Sequence, residues 1–130
     1  MEDVTIGLAL GVGAARGWAH IGIIRGLIDI GIRPDIVCGT SAGALVGGSY
    51  AAGHLEELEK WLITLDRLSV ARFFDLSLTS GGLIAGKRII GFFIDRFGDY
   101  DIQSLPKTYG AVATDLMTGH EVWFRSGSLM

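Results

Sequence analysis

The sequence contains few of the residues that cross-link, kink or charge a polypeptide. Of its 130 residues, one is cysteine, two are proline and 19% are charged. The lone cysteine, Cys38, excludes an internal disulfide and is typical of a reducing compartment, so we expect a cytoplasmic protein. The net charge of −3 offers no basic surface for a phosphate backbone, so we expect no nucleic-acid partner. With 49% hydrophobic residues, the chain predicts one globular domain over residues 1–130.

Signals for export or membrane insertion are also scarce. The chain starts Met-Glu-Asp, which is acidic where a secretory signal is basic. The longest uncharged run, residues 36–53, approaches the length of a membrane span, but its glycine- and serine-containing turn makes it too polar. A buried strand followed by a closely packed helix explains this run better.

Glycine, by contrast, is abundant, with 20 residues. Residues 39–43 read Gly-Thr-Ser-Ala-Gly directly after an apolar run at 36–38. This G-x-S-x-G spacing is typical of a nucleophile elbow, a strand-to-helix turn so sharp that the central residue is strained. Gly39 and Gly43 would give the turn room. Ser41 is therefore the candidate nucleophile, at a helix N-terminus where the N–H of Ala42 favours developing negative charge.

A second glycine-rich loop, residues 11–17, follows the apolar run 4–10. A helix from about residue 18 to a stop at Gly31, then the strand at 36–38, completes a βαβ unit with parallel strands and a right-handed crossover. Because parallel strands end at the same edge of a sheet, this loop should lie beside Ser41. The N–H groups of Gly13, Ala14 and Ala15 are then candidate donors of an oxyanion hole.

Two nucleotide-binding motifs are matched only in part. A dinucleotide site needs G-x-G-x-x-G, but Gly11 and Gly13 are followed by Gly17, one residue too late, and no acid ends the second strand. Residues 81–88 fit a P-loop except that Arg88 replaces the required Ser or Thr. Nucleotide binding is therefore the least favoured function for this chain.

The remaining pattern predicts further helices and two strands. The helices are expected at 42–52, at about 55–65 with a Glu56–Lys60 pair on the solvent side, and at about 86–97. The last should turn Ile89, Ile90, Phe93 and Phe97 inward. Strands are expected at 109–114 and 120–124. Residues 66–80 should form a partly mobile segment near the site; residues 73–78 within it would line an acyl-chain groove, contact a membrane transiently or form an ordinary core loop.

The three histidines show no triad pattern, because none has an acid at helical or strand spacing. Two interpretations of His20 stay open: it approaches Ser41, or it is a satisfied, partly buried residue. His54 is expected at the surface and His120 at the start of a strand. No residues have the spacing of metal ligands, so we expect neither a metal nor a cofactor, and Cys38 is expected in the core.

Together, the two loops resemble those of patatin-like phospholipases, especially small bacterial members. The resemblance rests on Gly-Val-Gly-Ala-Ala-Arg-Gly at 11–17 and on residues 39–43, with weaker support from Gly-Gly-Leu at 81–83 and Ala-Thr-Asp-Leu-x-Thr-Gly at 113–119. It implies a three-layer α/β/α domain with a central, mainly parallel sheet. It also implies hydrolysis of acyl esters of lipids by a Ser-Asp dyad. Ser41 matches the nucleophile, residues 13–15 match the oxyanion loop, and Arg16 matches its basic residue.

The sequence departs from the family pattern in two ways. Val12 and Ala14 stand where glycines are common, and no Asp-Gly pair occurs, although the family's catalytic aspartate lies in Asp-Gly-Gly or Asp-Gly-Ala. Asp115 lies in a family-like turn, where we expect a structural role. We therefore expect the N-terminal part of a catalytic domain, nearly inactive alone, with the base beyond residue 130 and a lipid or other acyl ester as substrate. The alternative is a non-catalytic interaction or regulatory domain.

Overall fold

The computed structural model describes residues 4–11, 13–66, 90–91 and 93–130. Several sequence-based interpretations lie outside these residues. They concern Val12, Ile89, the irregular apolar segment with its groove or membrane contact, the partial P-loop, the motif at 81–83 and the start of the helix expected from residue 86.

A four-stranded sheet forms the centre of the fold. Its strands lie in the order β1 (Gly7–Leu10), β2 (Ile36–Gly39), β3 (Thr108–Thr114) and β4 (Glu121–Phe124). The first three strands are parallel, and β4 pairs antiparallel with β3 as a hairpin. Leu10 pairs with Gly39, and Gly39 in turn with Ala111. The α/β class with a mainly parallel sheet is confirmed, and β1 and β2 end at the same level of the same edge.

Helices connect the parallel strands. A 3-10 turn (Ala14–Trp18) leads into α1 (Ala19–Asp29), and β2 leads into α2 (Ala42–Ala51) and then α3 (Leu55–Thr64). Residues 90–91 and 93–97 are helical and are called α4 here. Positive φ angles at Gly31, Gly53 and Gly98 end α1, α2 and α4 with the left-handed residue that glycine adopts without a Cβ penalty. None of the described helices has the length and apolar character needed to cross a bilayer.

The core lies where α2 packs against the sheet. Small residues make the close approach possible, since a Cβ on Gly47 would lie 3.0 Å from Cγ1 of Val37. Val37 of β2, Val46 of α2 and Ile24 of α1 are fully buried in one cluster. The hydroxyl of Tyr109 on β3 donates a 2.8 Å hydrogen bond to the carbonyl of Ala44. This bond fixes α2 along the third strand as well as the second.

Several expectations about individual residues need correction. Ile90 does not turn inward but is 38% exposed, whereas Phe93 and Phe97 are buried as predicted. Cys38 is half-buried rather than part of the core. His54 is not a free surface residue: its Nε2 lies 2.9 Å from the Tyr100 hydroxyl and its ring stacks on Phe97. The predicted Glu56–Lys60 ion pair is present, with the two charged atoms 2.7 Å apart.

The first strand is also shorter than the sequence predicts. It begins at Gly7 rather than residue 4. The N–H of Ile6 donates a 2.9 Å hydrogen bond to the carboxylate of Asp35, and the carbonyl of Ile6 accepts from the backbone N–H groups of Asp35 and Ile36. An acidic side chain thus takes a backbone donor that an extended strand would use in its ladder, which is a tertiary effect that hydrophobic pattern does not reveal.

Candidate active site

Ser41 occupies the turn between β2 and α2 in a conformation that L-residues rarely adopt. Its φ is 54° and its ψ is −129°, and it is the only non-glycine residue with positive φ in the part of the chain that the structure describes. The side chain is exposed and makes no capping hydrogen bond to α2. The strained, solvent-facing serine expected from G-x-S-x-G is therefore present in the geometry.

The glycines on either side of Ser41 are required by close backbone contacts. A Cβ on Gly39 would overlap the carbonyl of Gly43, and one on Gly43 would overlap the carbonyl of Leu10 and lie 2.6 Å from that of Gly11. The N–H of Gly43 donates to the carbonyl of Thr40 at 3.0 Å and closes the turn. The motif spacing therefore follows from packing of backbone on backbone, independently of any chemistry.

The same contacts bring the two glycine loops together. The N–H of Thr40 donates to the carbonyl of Leu10 at 3.1 Å, where the first loop begins. At the far end of that loop, Gly17 is buried against Ala42, so closely that a Cβ on Gly17 would overlap the Cβ of Ala42. Both ends of the first loop thus touch the Ser41 turn. The side-by-side arrangement expected from the βαβ unit is observed.

The backbone N–H groups of the two loops divide into used and unused donors. Arg16 and Gly17 both donate to the carbonyl of Gly13, at 2.8 and 3.1 Å. Ala14 and Ala15 begin the 3-10 turn, and Ala42 begins α2. First-turn N–H groups have no acceptor within their own helix. The N–H groups of Ala14, Ala15 and Ala42, which the sequence suggests as oxyanion donors, are therefore first-turn N–H groups of their helices.

Among the described residues, no imidazole or carboxylate forms a hydrogen bond with the side chain of Ser41. His20 is half-buried and its Nε2 donates to the carbonyl of Gly11 at 3.1 Å, so it supports the first loop. His120 is exposed just before β4 rather than within it. Asp115 accepts a 2.8 Å hydrogen bond from the N–H of Met117, and this bond holds the pKa of its carboxyl below the usual range. These contacts within its own turn agree with the structural role predicted for Asp115.

Some features of this region were not predicted from the sequence. Two contacts were not predicted: that of Gly17 with Ala42, and the hydrogen bond from His20 to Gly11. No sequence pattern indicates the first. The only indication of the second was the position of His20 in the first turn after the loop. Within the described ranges, no three His, Cys, Asp or Glu side chains converge as metal ligands do.

The fold and this turn define a class of protein: an α/β domain in which a strained, exposed serine follows a parallel strand beside a glycine-rich loop. Residues 8–127 match the family model of patatin-like phospholipases. Because that match covers nearly the whole sequence, the chain belongs to the patatin-like phospholipase family.

Relatives support this assignment over similar stretches. An uncharacterized NTE family protein of Mycobacterium tuberculosis is 42% identical over 124 residues, which is 95% of this chain but 34% of the relative. A patatin-like phospholipase domain-containing protein of Caenorhabditis elegans is 35% identical over 95% of this chain and 10% of its own length. The neuropathy target esterase of Drosophila sechellia is 30% identical over 96% of this chain and 9% of its own. The chain thus spans about a third or less of these relatives.

Proposed function

We propose that the protein is a serine hydrolase of lipid acyl esters and that Ser41 is its nucleophile. Membership of a family of phospholipases and esterases supports the reaction class. The observation that carries the residue assignment is the backbone of Ser41, at φ 54° between two glycines and beside the first glycine loop. A residue strained in this way persists only where its surroundings hold it, and such residues concentrate at functional sites.

In the proposed reaction, Oγ of Ser41 attacks the ester carbonyl carbon while a base takes the hydroxyl proton. The developing oxyanion is held by N–H groups drawn from Gly13, Ala14 and Ala15 of the first loop and Ala42 of α2. Collapse of the tetrahedral intermediate breaks the ester bond, and the alcohol leaves with that proton. Water then attacks the acyl-serine, and the base assists again. The fatty acid is released and Ser41 regains its proton.

The base is the part of this proposal that the 130 residues do not supply. No Asp-Gly pair occurs in the sequence. Asp115 accepts hydrogen bonds inside its own turn. We therefore propose that an aspartate outside residues 1–130 completes the dyad, and that residues 1–130 form the nucleophile-bearing part of one catalytic domain. Arg16, which is exposed in the middle of the first loop's 3-10 turn, would add positive charge near the substrate.

The same lack of a base favours a second candidate, a patatin-fold domain that binds a partner without catalysis. A fluorophosphonate probe separates the two, because it reacts only with an activated serine. Labelling of Ser41 in the folded, full-length protein supports the hydrolase. Folded protein that stays unlabelled supports the binding domain.

The decisive variant is Ser41→Ala in the full-length protein, measured on a p-nitrophenyl ester. We expect kcat/KM to fall by about 10³-fold or more, because removal of a nucleophile leaves only residual oxyanion stabilisation and binding. The matched control is Ser126→Ala, which removes another exposed serine far along the chain and should leave kcat/KM unchanged. Full turnover by Ser41→Ala would remove Ser41 from the mechanism.

A further inference from the structure

The turn that joins β3 to β4 shows two large apolar side chains to solvent. Leu116 is 94% exposed and Met117 is 93% exposed. They are adjacent and form the tip of the hairpin between Thr114 and Glu121, the last pair of its ladder. Single exposed apolar residues are ordinary, but an adjacent pair at the end of a projecting hairpin forms a contiguous apolar tip.

The turn that carries this tip is firmly built. The backbone N–H of Asp115 donates to the carbonyl of His120 at 2.8 Å, and the N–H of Gly119 donates to the carbonyl of Asp115 at 2.7 Å. The Asp115 carboxylate accepts from the N–H of Met117 at 2.8 Å, and Gly119 adopts a φ of 74°. Hydrogen bonds thus fix the backbone on both sides of the two side chains. Their display to solvent is a property of the fold rather than of a loose loop.

The tip lies at the same end of the sheet as Ser41, beyond the C-terminal ends of the parallel strands. Strands β1, β2 and β3 are parallel, so the ends of all three open at one edge. Gly39, two residues before Ser41, pairs with Ala111, and β3 continues for three residues to Thr114. At about 3.3 Å per residue the hairpin extends about 10 Å past that pair. The apolar tip therefore projects on the same side as the candidate nucleophile.

We propose that Leu116 and Met117 form an interfacial anchor that inserts into a zwitterionic lipid surface and sets the Ser41 edge of the sheet against it. The lipid substrate is taken from the proposed function, whereas the surface itself follows from the hairpin. The two carboxylates at its base, Asp115 and Glu121, outnumber the one cation of the hairpin, Arg125 over the ring of Trp123, so an anionic surface is disfavoured and a zwitterionic one favoured. Behind the tip, the exposed Trp123 of β4 supplies the amphipathic ring that is common at headgroup level.

Sedimentation of the full-length protein with phosphatidylcholine vesicles tests this anchor. We expect Leu116→Ser/Met117→Ser to lower the vesicle partition coefficient at least about tenfold, since two large apolar side chains no longer leave water. The matched control is Ile30→Ser. It removes an apolar side chain that is 71% exposed just past the end of α1, at the opposite edge of the sheet, and should not change the partition. The exchange Leu116→Met/Met117→Leu keeps the apolar tip and should retain binding.

Catalysis separates this proposal from the preceding one. Ser41→Ala should bind vesicles like the parent protein, because the anchor does not need the nucleophile. The serine tip variant should hydrolyse a soluble short-chain ester at the parental rate but lose vesicle hydrolysis. If no variant hydrolyses any ester while the tip still controls vesicle binding, the proposed function fails and the anchor stands. Equal vesicle binding by the parent and the serine tip variant, or none by the parent, overturns the anchor.

Oxidation of Met117 tests whether another part of the protein covers the tip. With peroxide, an exposed thioether forms its sulfoxide faster than a partly buried one, and Met130 is partly buried against the core. Mass spectrometry of the full-length protein should show rapid oxidation of Met117 in solution and protection when phosphatidylcholine vesicles are added. Protection of Met117 in the absence of vesicles would mean that protein, not lipid, occupies this surface, and would overturn the proposal.

Discussion

Gly17 lies directly against Ala42, so that the Cβ of any other residue at position 17 would overlap the methyl group of Ala42. This contact joins the end of the first glycine loop to the first turn of α2. A second close contact between the loops is the approach of Gly43 to the carbonyls of Leu10 and Gly11. At both contacts, the close approach of the loops requires a residue without a side chain, Gly17 or Gly43.

The first prediction concerns that contact. Gly17→Ala should lower the free energy of unfolding by about 1–3 kcal/mol, because a methyl group is forced into occupied space. Gly26→Ala is the matched control: Gly26 lies within α1 with nothing within 4 Å of the new Cβ, and the change should stabilise by about 0.5–1 kcal/mol. Urea unfolding of both variants in the full-length protein measures the difference, and equal effects would contradict it.

A second prediction concerns strain at Ser41. Both Ser41→Ala and Ser41→Gly remove the hydroxyl, but only glycine relieves the positive φ. We expect the free energy of unfolding of Ser41→Gly to be about 1 kcal/mol higher than that of Ser41→Ala. Glu56, on the exposed side of α3, provides the control. There the free energy of unfolding of Glu56→Gly should be about 1 kcal/mol lower than that of Glu56→Ala, because glycine is the poorer helix former. A less stable glycine variant at position 41 would show that the turn is not strained.

The third prediction concerns Tyr109, whose side chain is 6% exposed. Burial, with a smaller contribution from nearby Cys38, raises the pKa of its phenol. The pKa of this phenol in the folded state lies above its unfolded value of about 10. Its contribution to the free energy of unfolding is therefore fully present below about pH 10 and is lost as pH rises further. Tyr109→Phe loses the hydrogen bond to Ala44 and should cost about 1 kcal/mol at neutral pH.

Above about pH 10, the free energies of unfolding of the parent and of Tyr109→Phe should converge. The parent loses stability there because its unfolded state ionises a phenol that is buried in the folded state, and the variant has no such group. Urea unfolding at neutral pH and at alkaline pH measures the difference at each. A gap that stays constant, or that widens with pH, would contradict a raised pKa at Tyr109.

A fourth prediction treats His20 as a positioning residue. Its hydrogen bond to the carbonyl of Gly11 supports the loop that is proposed to hold the oxyanion. His20→Ala should lower kcat by about tenfold or more with little change in KM, because the misplaced donors act mainly in the transition state. His20→Gln, whose amide can still donate to that carbonyl, should restore most of kcat. If glutamine is no better than alanine, the hydrogen bond has no such role.

The two glycine-containing turns of the candidate site were the part of the fold that local sequence pattern predicted best. Glycines at 39 and 43 can be interpreted from sequence because backbone contacts there tolerate no Cβ. The parallel connection from β1 to β2 followed from short apolar runs separated by a helical period, whereas the pairing of β2 with β3 was not predicted from any such pattern. Ser41 could be singled out from residues 39–43 alone, although the turn is also held by contacts with Leu10 and Gly11.

Long-range contacts account for what the sequence did not predict. His54 was expected at the surface because it lies at a helix boundary, yet Phe97 at the end of α4 and Tyr100 just after it contact its ring. Residues 125–130 had no recognisable pattern, but the N–H of Leu129 donates to the carbonyl of Tyr100 at 2.7 Å, and Ser128 donates to the carboxylate of Asp99 at 2.8 Å. Such pairs are fixed by tertiary structure and leave no periodic trace.

The backbone angle at Ser41 also limits which reactive groups the turn could carry. A φ of 54° is strained for any residue with a Cβ and worst for one branched there, so threonine is excluded although it keeps a hydroxyl. Cysteine adds no branch and would present its sulfur at the same exposed position. Site 41 is therefore a natural attachment point for a thiol-reactive label, and exchange of oxygen for sulfur there changes the chemistry while leaving the architecture in place.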